Sequence, residues 1–331
     1  MELTGTILDC SLALTLVVLS FRILQSSDLF QAVVLFITFG LVMALTWVRL
    51  EAPDIALTEA AVGAGLAGVL LLDSLRRMGR RRETPAPADK PAPAPGRESS
   101  HLSRTHFFGA SAATLALAGM LVAALFVLPD DTGDLARLVR DNLPKSGLEH
   151  PVSAVLLNFR AYDTWLELGV LVLAFLGILG IRECPGLKSI QPPPPPPLLL
   201  QHLVGGLFPL VALSSGYLLW SGSFAPGGAF QSGVVLGAGF ILLWMAGYPS
   251  LTLLTNKMWL VLVVFGFTSF LLVGTFSLVL GLPFLTYHPG YAKPCILALE
   301  LAATLSIGII MAGLVLALQP MKEKASCEIE E

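Results

Sequence analysis

Long apolar runs alternate with short polar breaks along nearly the whole chain. Nine runs come close to the roughly 20 residues that a helix needs to cross a bilayer. They lie at about 5–23, 29–49, 53–74, 107–128, 164–182, 203–221, 230–248, 258–281 and 295–318. This pattern predicts an all-α, polytopic helix bundle. All five tryptophans, Trp47, Trp165, Trp220, Trp244 and Trp259, fall near run ends. Amphipathic rings settle there, at the membrane–water boundary.

Composition agrees with this reading. Of 331 residues, 55% are hydrophobic and 13% charged, against about 25% charged in soluble domains. Mean hydropathy is +0.77. Met1-Glu2-Leu3-Thr4 lacks a positive n-region and no small-residue cleavage pattern follows, so the first run is expected to be a span and not a signal peptide. Eight basic residues between Arg76 and Arg104 mark that loop as cytoplasmic by the positive-inside rule. Threading from it puts the N-terminus outside and the C-terminus, with Lys322 and Lys324, inside. Loop 129–163 is then external, and Leu135, Leu138, Val139 and Leu143 within it fit a short amphipathic helix.

Two cytoplasmic joints divide the spans into groups of three, two and four. Residues 83–106 are Pro/Ala-rich and polar over most of their length, which reads as an extended linker. Pro192 to Pro197 would form a polyproline II rod of about 19 Å, a spacer or, alternatively, a ligand for an SH3-type domain. The expected organisation is a three-helix module (1–82), linker (83–106), two-helix module (107–190), polyproline linker (191–202), four-helix module (203–318) and charged tail (319–331).

The chemistry rests on acids inside these runs. Glu59 lies about 9 Å along the helix axis from Pro53, in a stretch otherwise small and aliphatic. An ionised carboxylate near a bilayer centre costs roughly 2.5–3.5 kcal/mol or more, so Glu59 must face protein or water. It either handles ions or makes a buried structural hydrogen bond. Ala56, Ala60, Ala64 and Gly68 form a small-residue stripe beside it that admits a close neighbouring helix. Asp54 points about 140° away from Glu59 and follows Pro53, where an interfacial charge at a helix N-terminus suits the dipole. Glu300 follows Pro294 by the offset that separates Glu59 from Pro53, and Glu167 follows Asp163-Thr164. The derived topology sets all three glutamates in the outer half of the membrane, where they could line one hydrated path. Interfacial solvation for Glu167 and helix–helix hydrogen bonding for Glu300 are the plainer alternatives.

Pro226-Gly227-Gly228 forms either a tight turn or a re-entrant segment. No lysine lies inside a run, so the chain holds only part of any proton relay. Four scattered cysteines and five histidines without i, i+4 pairing argue against zinc, haem or iron–sulfur cofactors. The juxtamembrane basic cluster is explained by topology and gives no support for nucleic-acid binding.

These residues resemble a known family. Residues 31–75, with Pro53-Asp54 through Glu59-Ala60-Ala61-Val62-Gly63, are similar to the small domain that ends the A-type polypeptide of Mrp-type multisubunit Na+/H+ antiporters, and to the MbhD component of membrane-bound hydrogenases. Asn158-Phe159-Arg160-Ala161-Tyr162-Asp163-Thr164-Trp165-Leu166-Glu167 resembles the R-x-x-D-T-x-x-E signature of the adjoining MbhE-like domain. Residues 203–318, with Pro226-Gly227-Gly228-Ala229-Phe230 and the Glu300 helix, resemble the antiporter component MnhB; Ala229 departs from the family's usual P-G-G-G-F.

The resemblance implies a non-catalytic subunit of a large complex I-related assembly in a prokaryotic cytoplasmic membrane. Its partners would be antiporter or hydrogenase subunits, among them large ones that carry intramembrane lysines. It implies transport of Na+ and H+ with no cofactor. Glu59 would be the leading cation or proton carboxylate and a Na+ ligand, beside the Thr58 oxygen. Asp54, Asp163, Glu167 and Glu300 would be secondary. Two alternatives stay open: an ion-translocating subunit of an energy-converting redox complex, and a structural scaffold.

Overall fold

A computed structural model describes residues 2–83, 104–127, 133–182, 196–248, 257–288 and 290–316. Every regular element among them is helical. The first helices are α1 (Glu2–Gln25), α2 (Leu29–Arg49) and α3 (Pro53–Thr58). Asp28 caps α2, its carboxylate accepting from the Phe30 N–H at 3.0 Å. Pro53 opens α3, a position where its missing N–H costs nothing.

The sequence predicts an unbroken α-helix through 53–74, and the structure corrects this. A π-helical segment spans Glu59–Leu66 before α4 (Ala67–Glu83) resumes, with the Ala67 N–H donating five residues back to the Val62 carbonyl. Helix α4 also runs past the predicted span end at 74. Residues 84–103, the greater part of the expected linker, lie outside the described residues, as do 183–195, which include the first part of the expected 191–202 polyproline linker, and 317–331, which include the expected tail. Pro197 itself has φ −64° and ψ 145°, polyproline II geometry.

Next come α5 (Arg104–Val127), α6 (Gly133–Ser146) and α7 (Pro151–Ala154), then a second π segment (Val155–Phe159) and α8 (Ala161–Arg182). The amphipathic pattern at 135–143 does form a helix, α6; Leu143 packs on the core while Leu135 and Leu138 are exposed. The remaining helices are α9 (Leu198–Ser221), α10 (Ala229–Met245), α11 (Lys257–Val279) and α12 (Ala292–Leu316).

Seven of these stretches are long and apolar enough to span a membrane: Thr4–Gln25, Leu29–Arg49, Pro53–Arg76, Ala161–Ile181, Leu198–Ser221, Met258–Val279 and Ala292–Leu316. Ser111–Val127 and Ala229–Met245 are apolar but shorter. At 1.5 Å per residue the 17-residue α10 reaches only about 26 Å, short of the roughly 30 Å hydrocarbon core. The protein is a multi-pass, all-helical membrane protein.

The chain divides into two compact units. Arg76–Asp141 forms one, containing α5 and most of α6. Met1–Leu75 with Asn142–Glu331 forms the other. In the larger unit α12 is the axis: 72% of its apolar window is buried, against 28% or less in the other spans. Glycines set its closest contact. A Cβ at Gly237 of α10 would stand 2.9 Å from the Gly308 carbonyl oxygen of α12, so only glycine lets the two backbones meet. The stripe beside Glu59 works similarly against α2. Ala56, Ala64 and Gly68 are buried, and a Cβ on Gly40 would lie 3.2 Å from Ala64.

Trp165 departs from its expected anchoring role. It stacks on Phe267 at 5.2 Å and touches Phe284, with its indole nitrogen buried, so it belongs to an internal aromatic cluster. Trp220 is 60% exposed at the end of α9, packed edge-on against Phe224.

Candidate functional site

The turn joining α9 to α10 organises the site. Gly227 has φ +150° and Gly228 φ +112°, conformations that a side chain disfavours. A Cβ on Gly227 would lie 2.5 Å from the Leu218 carbonyl oxygen. The two glycines therefore fold the turn flat against the end of α9. The Gly228 N–H donates to the Leu218 carbonyl at 2.9 Å, leaving the Gly227 and Ala229 amides to find other partners.

Two carboxylates from distant parts of the chain approach those amides. Asp54 Oδ1 accepts from the Gly227 N–H at 2.9 Å. Glu300, on α12, brings its carboxylate to the start of α10, with Oε1 3.3 Å from where a Cβ on Gly228 would stand. Carboxylates are favoured here because a helix N-terminus presents free N–H groups and the positive end of the helix dipole. Glu300 is 2% exposed, and its Oε1 has no hydrogen-bond partner among the described residues. Thr304, one turn on, donates to the Ala229 carbonyl at 3.4 Å.

Asp54 has a second partner that sequence reasoning missed. His150 Nε2 lies 3.7 Å from Asp54 Oδ2, with both side chains mostly buried. The loop bearing His150 is pinned to the same turn: the Glu149 and His150 N–H groups both donate to the Ser223 carbonyl, and Ser153 donates to the Gly222 carbonyl. Gln231 was also missed. Its Nε2 donates to the Asp54 carbonyl at 3.3 Å and to Thr58 Oγ1 at 3.4 Å. Thr58 Oγ1 itself donates to the Asp54 carbonyl at 3.0 Å. No local motif marks His150 or Gln231; the proximity of Gln231 to the glycine turn was the one available signal.

The other predicted acids lie elsewhere. Glu59 is half-buried and folds back along its own π segment, its carboxylate occupying the space that a Gly63 side chain would fill. It accepts no hydrogen bond among the described residues. Asp163 pairs with Arg160 at 2.6 Å, largely in the open. Glu167 is exposed on α8. The structure thus joins Asp54, Thr58 and Gly227 through direct or shared partners and sets Glu300 beside Gly228. It places no hydrogen bond or ion pair between Glu59, Glu167 and Glu300.

An acid absent from the predicted set is neutralised locally. Asp9 in α1 makes a two-pronged pair with Arg49 at the end of α2, at 2.7 Å and 3.3 Å. No cluster of three or more His, Cys, Asp or Glu side chains suited to a metal ion occurs among the described residues. What the turn gathers instead is carboxylate, amide, hydroxyl and carbonyl oxygen, the donor set of hard cations.

Comparisons with known proteins fit this layout. Residues 14–80 match the MbhD family, a component of the MBH complex. Residues 199–318 match the "domain related to MnhB subunit of Na+/H+ antiporter". A probable K(+)/H(+) antiporter A/B subunit from Rhizobium meliloti (strain 1021) is 27% identical over 312 residues, 84% of this chain and 30% of that protein. The solved Mrp complex from Dietzia sp. DQ12-45-1b contains a chain with TM-score 0.72 and 25% identity, covering 95% of this chain and 35% of that one. The archaeal membrane-bound sulfane sulfur reductase has a chain of the same fold, with TM-score 0.54 and 19% identity, covering 64% of this chain and 97% of that one. This chain spans about a third of the length of the first two relatives.

Proposed function

We propose that this chain, which carries an MbhD domain and an MnhB domain in one Mrp-type polypeptide, is a subunit of a monovalent cation/proton antiporter. The observation that carries this reading is collinearity. One continuous alignment with an antiporter A/B subunit runs through both domains and the segment between them. In this reading residues 107–190 form the MbhE-like module that joins them. Nine helices cross a prokaryotic cytoplasmic membrane, N-terminus outside and C-terminus inside, with the shorter α10 spanning a locally thinned layer. The partners are the other antiporter subunits, and the transported ions are H+ and Na+ or K+.

The intramembrane acids form the chain's share of the ion path. Glu59 is the leading carboxylate, because a π segment frees its surroundings from regular α packing and such segments are frequent at functional sites. Asp54 and Thr58 support the turn beside it, Glu300 sits at the α10 N-terminus, and Asp163 and Glu167 serve the face of α8. The test is Glu59→Gln in inverted vesicles that contain the whole complex. Loss of cation-driven proton release with assembly intact is expected. Normal exchange with reduced assembly would instead make the chain a scaffold.

A second reading is favoured by the likeness to the sulfane sulfur reductase chain. There the same modules would move ions in a redox complex. The neighbouring open reading frames decide between the two: genes for nickel-site or iron–sulfur proteins would point to the redox assembly.

A further inference from the structure

The orientation of Gln231 carries a consequence for Glu300. A backbone carbonyl can only accept, so the Gln231 amide must turn its NH2 towards the Asp54 carbonyl. Thr58 Oγ1 spends its proton on that same carbonyl and accepts from Gln231 as well. Both donors of the amide are therefore committed to the α3 side, and Oε1 faces the other way. There it looks into the space beside Gly228. A Cβ on Gly228 would stand 3.3 Å from Glu300 Oε1 and 3.8 Å from Gln231 Oε1.

Two oxygen acceptors thus border one nook, kept open by a glycine, and among the described residues no side-chain donor stands within 4 Å of that Cβ position. Glu300 Oε1 is the unpartnered atom of a residue 2% exposed. A buried oxygen left this way is costly, more so if charged, unless something positive fills the gap. The nook is lined by oxygen, not nitrogen or sulfur, which selects a hard cation. A single carboxylate balances one positive charge.

We propose that Glu300 and Gln231 form a binding site for one partly dehydrated monovalent cation, Na+ or K+, seated over the bare Cα of Gly228. Thr58 is a positioning residue, since it holds the Gln231 amide in the orientation that presents its oxygen. The site rests on the reading of the acids as an ion path and adds a specific ligand pair to it.

The experiment is cation-driven proton release in inverted vesicles carrying the complete complex. NaCl and KCl are titrated separately, with choline chloride as the inert control. Gln231→Leu removes the amide oxygen at similar volume. It should raise the half-saturating concentration of the transported cation about tenfold, the effect of losing one polar ligand. The salt that shows the shift identifies the cation. An unchanged half-saturation overturns the site. Should Gln231→Leu fail to assemble, Thr58→Val decides: a rise of about threefold supports the site and no change overturns it. Glu300→Gln separates the two readings. If it leaves exchange intact, Glu300 is no part of the path. If it abolishes exchange while Gln231→Leu leaves the half-saturation unchanged, the path stands and the cation site alone falls.

Discussion

Gly63 and Asp54 show how single residues set the chemistry of this bundle. The Glu59 carboxylate rests where a Gly63 side chain would be, so Gly63→Ala must push it aside. The displaced atoms are the end of a flexible side chain, so folding should survive. The expected outcome is a normally assembled complex with altered exchange kinetics in vesicle assays; unchanged kinetics would mean that the resting position of Glu59 is unimportant. Asp54 holds the glycine turn through the Gly227 N–H and faces His150. Asp54→Ala leaves that buried amide unmet and should destabilise the complex by roughly 1–3 kcal/mol, read as a lower midpoint of heat denaturation in detergent. Asp54→Asn keeps an oxygen for Gly227 and should recover much of that loss. Motif reading singled out Asp54, but as an interfacial charge; its partners lie about 100 and 170 residues away and had no local signature.

Among the elements, α10 and α12 depend on backbone contact more than on side-chain bulk. The Gly237–Gly308 approach leaves no space for a methyl group. Gly237→Ala should therefore cost about 1–3 kcal/mol by overpacking, measured as the fraction of complex surviving heat. Gly216 on α9 faces open space, and Gly216→Ala should be neutral or stabilising by up to about 1 kcal/mol through helix propensity. Hydropathy located most of these helices to within a few residues because burial in lipid requires long apolar runs. It did not reveal the two π segments. Those depend on whether a carbonyl bonds four or five residues ahead, a choice made by packing and not by apolar periodicity.

The larger unit brings the first and last predicted modules into contact, which hydropathy alone could not anticipate. Asp54 and Thr58 come from one and Gly227, Gln231 and Glu300 from the other, with His150 between them. Among the described residues, every Lys and Arg of the spanning stretches lies in a first or last turn or beyond it. In the proposed reading the described residues supply oxygen ligands to the ion path, but no Lys or Arg inside a spanning stretch to relay protons. Reconstituted alone, it should show no cation/proton exchange in a pH-dye vesicle assay, and co-expression with its partner subunits should restore it. Exchange by the isolated chain would overturn this division of labour.

Residue order alone establishes a helical membrane protein and roughly where its helices run, and it singles out the acids whose charge would be costly in a bilayer. Hydrophobicity and charge act locally enough to be read in order along the chain. Which acids share a site is settled by the folded packing instead. Glu59, Glu167 and Glu300 look equivalent in sequence, yet one folds back on its own helix, one is exposed, and one is buried at a helix N-terminus. That difference comes from long-range packing around α12, which no spacing along the chain encodes.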